Sequence, residues 1–182
     1  HFDYFFSGDD AKMHPALVCR DELFGNRLAR LMEHTGVTGI ENAIADIVEE
    51  LKFWGHGHSD ATPLIFMSDG GPAIRALKKR LMQELPGKNT EELAAKHQSA
   101  SNGRAEEAGK TTREHVRVLL DVIRRKAGIH IGMTDALATW AWRWAAMVHN
   151  RVKITSDGKT PHARLKGRAC RMELVPFGER VS

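Results

Sequence analysis

The apolar residues of this chain change their spacing near residue 38, and that change limits the folds open to it. Before it, three short runs suit strands: residues 2–6 (FDYFF), 15–20 (PALVCR) and 27–33. Turn formers separate them, Gly8-Asp9-Asp10 and then Phe24-Gly25-Asn26. Connections this short imply antiparallel neighbours, so the opening reads as a meander. After the change, Ile40, Ile44, Ile47, Val48 and Leu51 recur at three- and four-residue steps and predict a helix over 38–54. Residues 63–67 (PLIFM) are continuously apolar and are closed by Ser68-Asp69-Gly70-Gly71, which predicts a strand buried on both faces. Helices follow over 72–85, with Pro72 in the first turn and Pro86-Gly87 as the stop, over 102–126 and over 134–150. Residues 87–102 read as a weak edge strand or loop with a mobile tip. Residues 151–182 are basic and irregular and end in a strand pattern over 174–181. The order is that of a mixed α/β layer fold with a partly antiparallel sheet.

A chain of 182 residues that is 42% apolar suits one domain, and we place its core at 1–150 with a basic extension at 151–182. Charged residues make up 27% and no apolar run spans a bilayer, so no membrane partner is expected. Two cysteines, Cys19 and Cys170, and no C-x-x-C argue against a disulfide framework or a cysteine zinc module and for an intracellular setting. The chain enters a strand pattern directly from His1, as a piece of a longer polypeptide would. Its charge is uneven. Residues 1–100 carry 11 Lys and Arg against 15 Asp and Glu, whereas residues 101–182 carry 16 against 8. A basic half of this kind suits a polyanionic partner, because cations that neutralise phosphates release condensed counterions. Solvated helix faces would give the same count.

Three carboxylates stand out. Asp3 lies within an aromatic strand, where a charge is expensive unless something compensates it. Asp69 follows an apolar strand, where open α/β sheets place their ligands. Glu106 falls in the first turn of the longest predicted helix. Such a set, without Cys or an evident His partner, suits Mg²⁺ or Mn²⁺ better than zinc. Taken singly, Asp69 also reads as a helix N-cap and Glu106 as a complement to the helix dipole.

The strings HFDYFF, SDGGPAIRALKK and QSASNGRAEEAGK resemble, in order, the three acidic motifs of the integrase catalytic core of retroviruses and LTR retrotransposons. Asp69 and Glu106 stand 37 positions apart, close to that family's characteristic gap. HNR (149–151) and SDGKTPHARLKGR (156–168) resemble the tail that follows the core in copia-type elements. The resemblance implies an RNase H-like fold with a mixed central sheet. It implies that Asp3, Asp69 and Glu106 bind two Mg²⁺ (or Mn²⁺) ions, the first bridging both, for 3′-end processing and strand transfer of element-end DNA into target DNA. It further implies a homo-oligomer acting in the nucleus and a polyprotein origin. Two features depart from the family: its upstream His/His/Cys/Cys module is absent from these residues, and Glu107 sets an extra negative charge beside the site. A domesticated copy that binds DNA without cutting it, or another RNase H-like nuclease or transposase, is the alternative.

Lys110, Arg113 and Arg117 lie four, seven and eleven residues after Glu106, on one helix face, as a DNA backbone entering the site requires. The plain alternative is that Glu106–Lys110 and Glu114–Arg117 are ordinary helix pairs. Asn102, one turn before Glu106, is placed to meet the terminal nucleotide. The basic tail, with seven Lys and Arg against one Asp over 151–171, suits backbone contact beside that site. Other signals are set aside. Residues 103–111 miss the phosphate-loop pattern by one residue between the glycines. His56 and His58 read as a flexible Gly-His-Gly-His connection, Trp140 and Trp144 as core or subunit contact, and Cys19 as a small buried hydrophobe.

Overall fold

The computed structural model describes residues 1–6, 14–37, 40–57, 63–93 and 99–179, with the side chains of 99–102 excepted. The turn formers at 8–10, His58, and the end of the last expected strand fall outside them. The opening meander forms as β1 (Phe2–Phe5), β2 (Ala16–Arg20) and β3 (Arg27–Leu31). β2 is central and pairs antiparallel with both neighbours, Asp3 facing Val18 and Val18 facing Ala29. It is β2 that is buried on both faces. Leu17 and Cys19 enter one apolar cluster, and Ala16 and Val18 enter the other.

The first cluster lies under α1 (Glu41–Phe53) and α2 (Pro72–Glu84), whose apolar stripes supply Ile44, Ile47, Leu51, Ile74, Leu77 and Leu81. Between these helices comes β4 (Ile65–Ser68), which pairs in parallel with β5 (Thr90–Leu93). The expected two-sided burial of β4 does not hold. Phe66 and Ser68 point into the core, whereas Ile65 on the other face is 54% exposed, because α3 packs over β1, β2 and β3. β4 lies beside β1, and the rings of Phe2 and Phe66 stack with centroids 5.5 Å apart.

The second cluster lies under α3 (Ser99–Ala127) and α4 (Ala136–Val152). α3 begins three residues earlier than expected, so residues 99–102 are helical rather than a loop tip. It approaches the sheet through small residues, Ala105, Ala108, Gly109 and Thr112, all buried. The ring of Phe5 lies directly against Gly109, where a side chain of any size would overlap it. The expected strand over 174–179 is absent. Instead a short helix, α5 (Pro161–Lys166), follows α4, and Phe177 folds back onto Trp140 and Trp144 with ring centroids 4.9 and 6.0 Å away. Among the described residues no helix is long and apolar enough to cross a membrane.

Candidate active site

Alternation along β1 puts Asp3 and Phe5 on the face that α3 covers, with Phe2 and Tyr4 on the other. Three contacts show that α3 advances in the direction of β1. Glu107 meets Arg20, whose backbone pairs with His1; Gly109 meets Phe5; and Arg113 Nη1 donates to the Phe6 carbonyl (3.2 Å). Glu106 lies one helical turn before Gly109, about 4.5 Å, and Asp3 two strand residues before Phe5, about 6.8 Å. The two carboxylates therefore stand at nearly the same level along the sheet. Seven residues make nearly two turns, so Glu106 shares the azimuth of Arg113 and lies on the flank of α3 toward β1. Asp69 directly follows β4, the strand beside β1, and is exposed.

Each carboxylate that the structure details is held locally. Asp3 Oδ1 accepts from the Tyr4 N–H (2.8 Å), and Asp69 Oδ1 from the Gly71 N–H (3.1 Å) in a turn that the positive φ of Gly70 permits. Gly71 itself is the N-cap of α2, so Asp69 bridges into that helix start without capping it. Among the described residues no group of three His, Cys, Asp or Glu side chains is arranged to hold a metal ion. Asp3 lies on the sheet face that α3 covers, Glu106 is exposed in the early turns of α3, and Asp69 remains in its turn after the adjacent strand. As a donor set, three carboxylates without sulfur suit a hard divalent cation.

No protein-family model matches the sequence, and no curated protein is significantly similar to it. Solved structures are similar. The chain in full superposes on 58% of a chain of the simian T-cell lymphotropic virus intasome, determined with the PP2A regulatory subunit B56 gamma, at TM-score 0.64 and 14% identity. With the catalytic core domain of BIV integrase it shares 91% of each chain, at TM-score 0.58 and 15% identity. With the HTLV-2 integrase catalytic core domain, solved in complex with magnesium in a trimeric form, it shares 90% of this chain and 93% of that one, at TM-score 0.59 and 12% identity. The fold is that of a retroviral integrase catalytic core. It is an RNase H-like architecture.

On the integrase fold, the expected DNA stripe divides. Lys110 and Arg117 are exposed, and among the described residues no ion pair joins Glu106 to Lys110 or Glu114 to Arg117. Arg113 is half-buried and committed to the end of β1. Asn102 lies in α3, but its side chain is outside the described set. Glu107 does not add charge beside Glu106. It projects about 100° away, toward β2 and β3. There Arg27 Nη2 donates to both of its oxygens (3.0 and 2.9 Å) and Arg20 Nη1 to Oε2 (2.9 Å). The burial of the Glu107 carboxyl would raise it, but the two guanidinium groups and Thr111 hold it below the ordinary carboxylate range.

The basic tail is not beside the acidic residues. Pro161 and Arg164 of α5 pack near Gly25 in the β2–β3 turn. Lys166 lies over the Phe53 ring (3.7 Å) and donates to the Phe53 carbonyl. The tail thus flanks α1 and β3, across the sheet from β4. Residues 103–111 are helix, which removes the phosphate-loop reading, and Cys19 is buried as expected. His56 is no loose connection: its Nε2 lies 3.1 Å from Asp21 Oδ1, and its ring meets Trp54 edge-on. Sequence reasoning missed Lys78, a fully buried cation of α2. Its Nζ donates to the Phe66 and Glu92 carbonyls (3.2 and 3.4 Å) and pairs with Glu91 (3.0 Å), tying α2 to the strands that carry Asp69.

Proposed function

We propose that this chain is the catalytic core of an LTR-retrotransposon integrase of copia-like type, a Mg²⁺-dependent polynucleotidyl transferase. Residues 1–150 form the core and 151–182 a basic extension of it. The reading is supported by a fold shared with integrase cores, on which Asp3 stands on β1, Asp69 directly after the neighbouring β4 and Glu106 on the helix that covers the Asp3 face of the sheet. Asp3, Asp69 and Glu106 would hold two Mg²⁺ or Mn²⁺ ions, as the donor set favours and as the magnesium complex of the HTLV-2 core suggests. Such ions supply charge stabilisation to the attacking and leaving oxygens of an in-line displacement. The chain's own residues do the positioning. Lys110 and Arg117, exposed on the Glu106 flank of α3, take the phosphates of element-end DNA, and Asn102 meets its last nucleotide. The nucleophile is water in end trimming and the new 3′-hydroxyl in joining, so no protein nucleophile is required.

Joining two ends to one target needs more than one active site, so the working form is a homo-oligomer, with action on nuclear DNA. The oligomeric forms of the similar structures support this. Strand transfer on an oligonucleotide bearing the parent element's end tests the reading. Mg²⁺-dependent joined product from the wild type, lost in Asp69→Asn, is expected. Salt-sensitive DNA binding without any cleavage in Mg²⁺ or Mn²⁺ would favour the domesticated DNA-binding copy instead.

A further inference from the structure

We infer that Arg27, assisted by Arg20, is a positioning residue that fixes the rotation of α3 through Glu107 and thereby keeps Glu106 turned toward Asp3. The inference rests on the proposed metal site. α3 meets the sheet through Ala105, Ala108 and Gly109, small residues that permit close approach. Its rotation is therefore set by a few contacts: Phe5 on Gly109, Arg113 on the Phe6 carbonyl, Arg104 on Glu22, and Glu107 on Arg27 and Arg20. α3 side chains end about 5–6 Å from the axis, so a roll of about 20° would carry the Glu106 carboxylate by about 2 Å. Metal–oxygen distances tolerate about 0.2 Å. Of these contacts, Glu107, adjacent to Glu106 and about 100° round the helix, is the one with two buried-side guanidinium partners, and it is bound where a roll would be resisted.

The anchor is itself anchored. The Arg27 side chain is 4% exposed. Its backbone is gripped from α4 on both sides, Asn150 Oδ1 accepting from the Arg27 N–H (2.7 Å) and Asn150 Nδ2 donating to the Arg27 carbonyl (2.8 Å). Its Nη1 reaches the Ala108 carbonyl (3.5 Å), and Thr111 Oγ1 donates to the Glu107 carbonyl and bonds Oε1 (2.8 and 3.2 Å). The chain α4–β3–α3 thus ends one residue from Glu106. His149, buried nearby, is held neutral and does not compete for the carboxylate. The residue beside Glu106 is acidic here because its partners are the two arginines beneath it.

The test is Mn²⁺ binding, followed by electron paramagnetic resonance on the full chain, with folding checked by circular dichroism. Glu106→Gln sets the reference for a lost ligand. Glu107→Ala is expected to weaken Mn²⁺ about tenfold or more, the range for residues that orient ligands. Arg27→Lys, which keeps the charge but loses the two-fold grip, should fall between it and wild type. Glu84→Ala breaks the Arg80–Glu84 pair at the end of α2, on the opposite face of the sheet from α3, and should change stability slightly while leaving Mn²⁺ affinity within about twofold. Should Glu107→Ala not fold, Arg20→Ala removes only the half-exposed contact, and a weakening of about threefold is expected. Folded Glu107 or Arg20 variants with wild-type Mn²⁺ affinity, alongside a weakened Glu106→Gln, would overturn the positioning role. If Glu106→Gln also binds Mn²⁺ as the wild type does, the metal-site reading is what fails, and the positioning role falls with it.

Discussion

Gly109→Ala should destabilise this protein although alanine is the better helix former. In an exposed helix interior the change would gain about 1 kcal/mol. Here the new Cβ would fall on the edge of the Phe5 ring, whose strand lies beneath α3. Carbon atoms rest at about 3.5–4.0 Å, so ring and helix must part by more than 1 Å or the ring must leave its rotamer. Overpacking of this kind costs about 1–3 kcal/mol and occasionally more. Phe5 is half-buried and meets Gly109 with the far end of its ring, so the ring gives way in part and the middle of that range applies. The net loss is then about 1 kcal/mol, a fall of about 2–4 °C in Tm for a chain of this length. Thermal unfolding by circular dichroism measures it, and Phe5→Leu in the Gly109→Ala background should recover part of the loss. The same displacement should weaken Mn²⁺ binding, since Glu106 rides on the shifted turn. A Gly109→Ala protein as stable as wild type, or more so, would refute the close approach of α3 to β1 on which the site's geometry depends.

Asp3→Asn, Asp69→Asn and Glu106→Gln should each abolish Mg²⁺-dependent cleavage in a strand-transfer assay with little change in the unfolding midpoint, because each removes charge and almost no volume. Lys110→Ala and Arg117→Ala should each reduce the slope of log affinity against log salt on duplex DNA by about 0.9, whereas Arg125→Ala, paired with Asp121 on another face of α3, should not. His149 is pushed down to about 3, first by burial and then by Arg27. The unfolded chain therefore takes up the proton near pH 6.5, before the folded one does. Stability should fall as pH drops from about 6.5 toward 3, by at most about 1.4 kcal/mol per unit from this residue. Denaturant titrations at pH 6.5 and 5.5 should show a shallower dependence in His149→Gln.

What could be read along the chain was what local period encodes. The meander, α1 and α2 follow from two spacings. Of the acidic residues only Asp3, a charge inside an aromatic strand, stood out locally, and Asp69 and Glu106 were singled out by the order and gap of the motifs they resemble. What could not be read depends on partners distant in sequence. Glu107 looked like an intrusion until Arg27, 80 positions earlier, was found beneath it. Lys78 passed unremarked in the α2 pattern, because the Phe66 and Glu92 carbonyls that receive it lie on β4 and β5. The run at 63–67 is as apolar as a buried strand, but its outer face lies beyond the reach of α3, which no local pattern reveals. α5 has only six residues and no apolar stripe, yet its signals were present. Thr160 accepts from the Ala163 N–H (3.1 Å), Pro161 follows it, and Gly167 ends the helix at φ 69°. Period-based reading passes over helices this short.

In the proposed function, Asp3, Asp69 and Glu106 form one divalent-cation site. A crystal structure of the chain soaked in Mn²⁺, with anomalous data collected at the manganese edge, tests it most directly. Anomalous density is expected between β1, the end of β4 and the first turns of α3, ligated by all three carboxylates, with Asp69 released from the Gly71 N–H. Manganese bound elsewhere, or absent from these residues at saturating concentration while Asp69 keeps its turn, would contradict it.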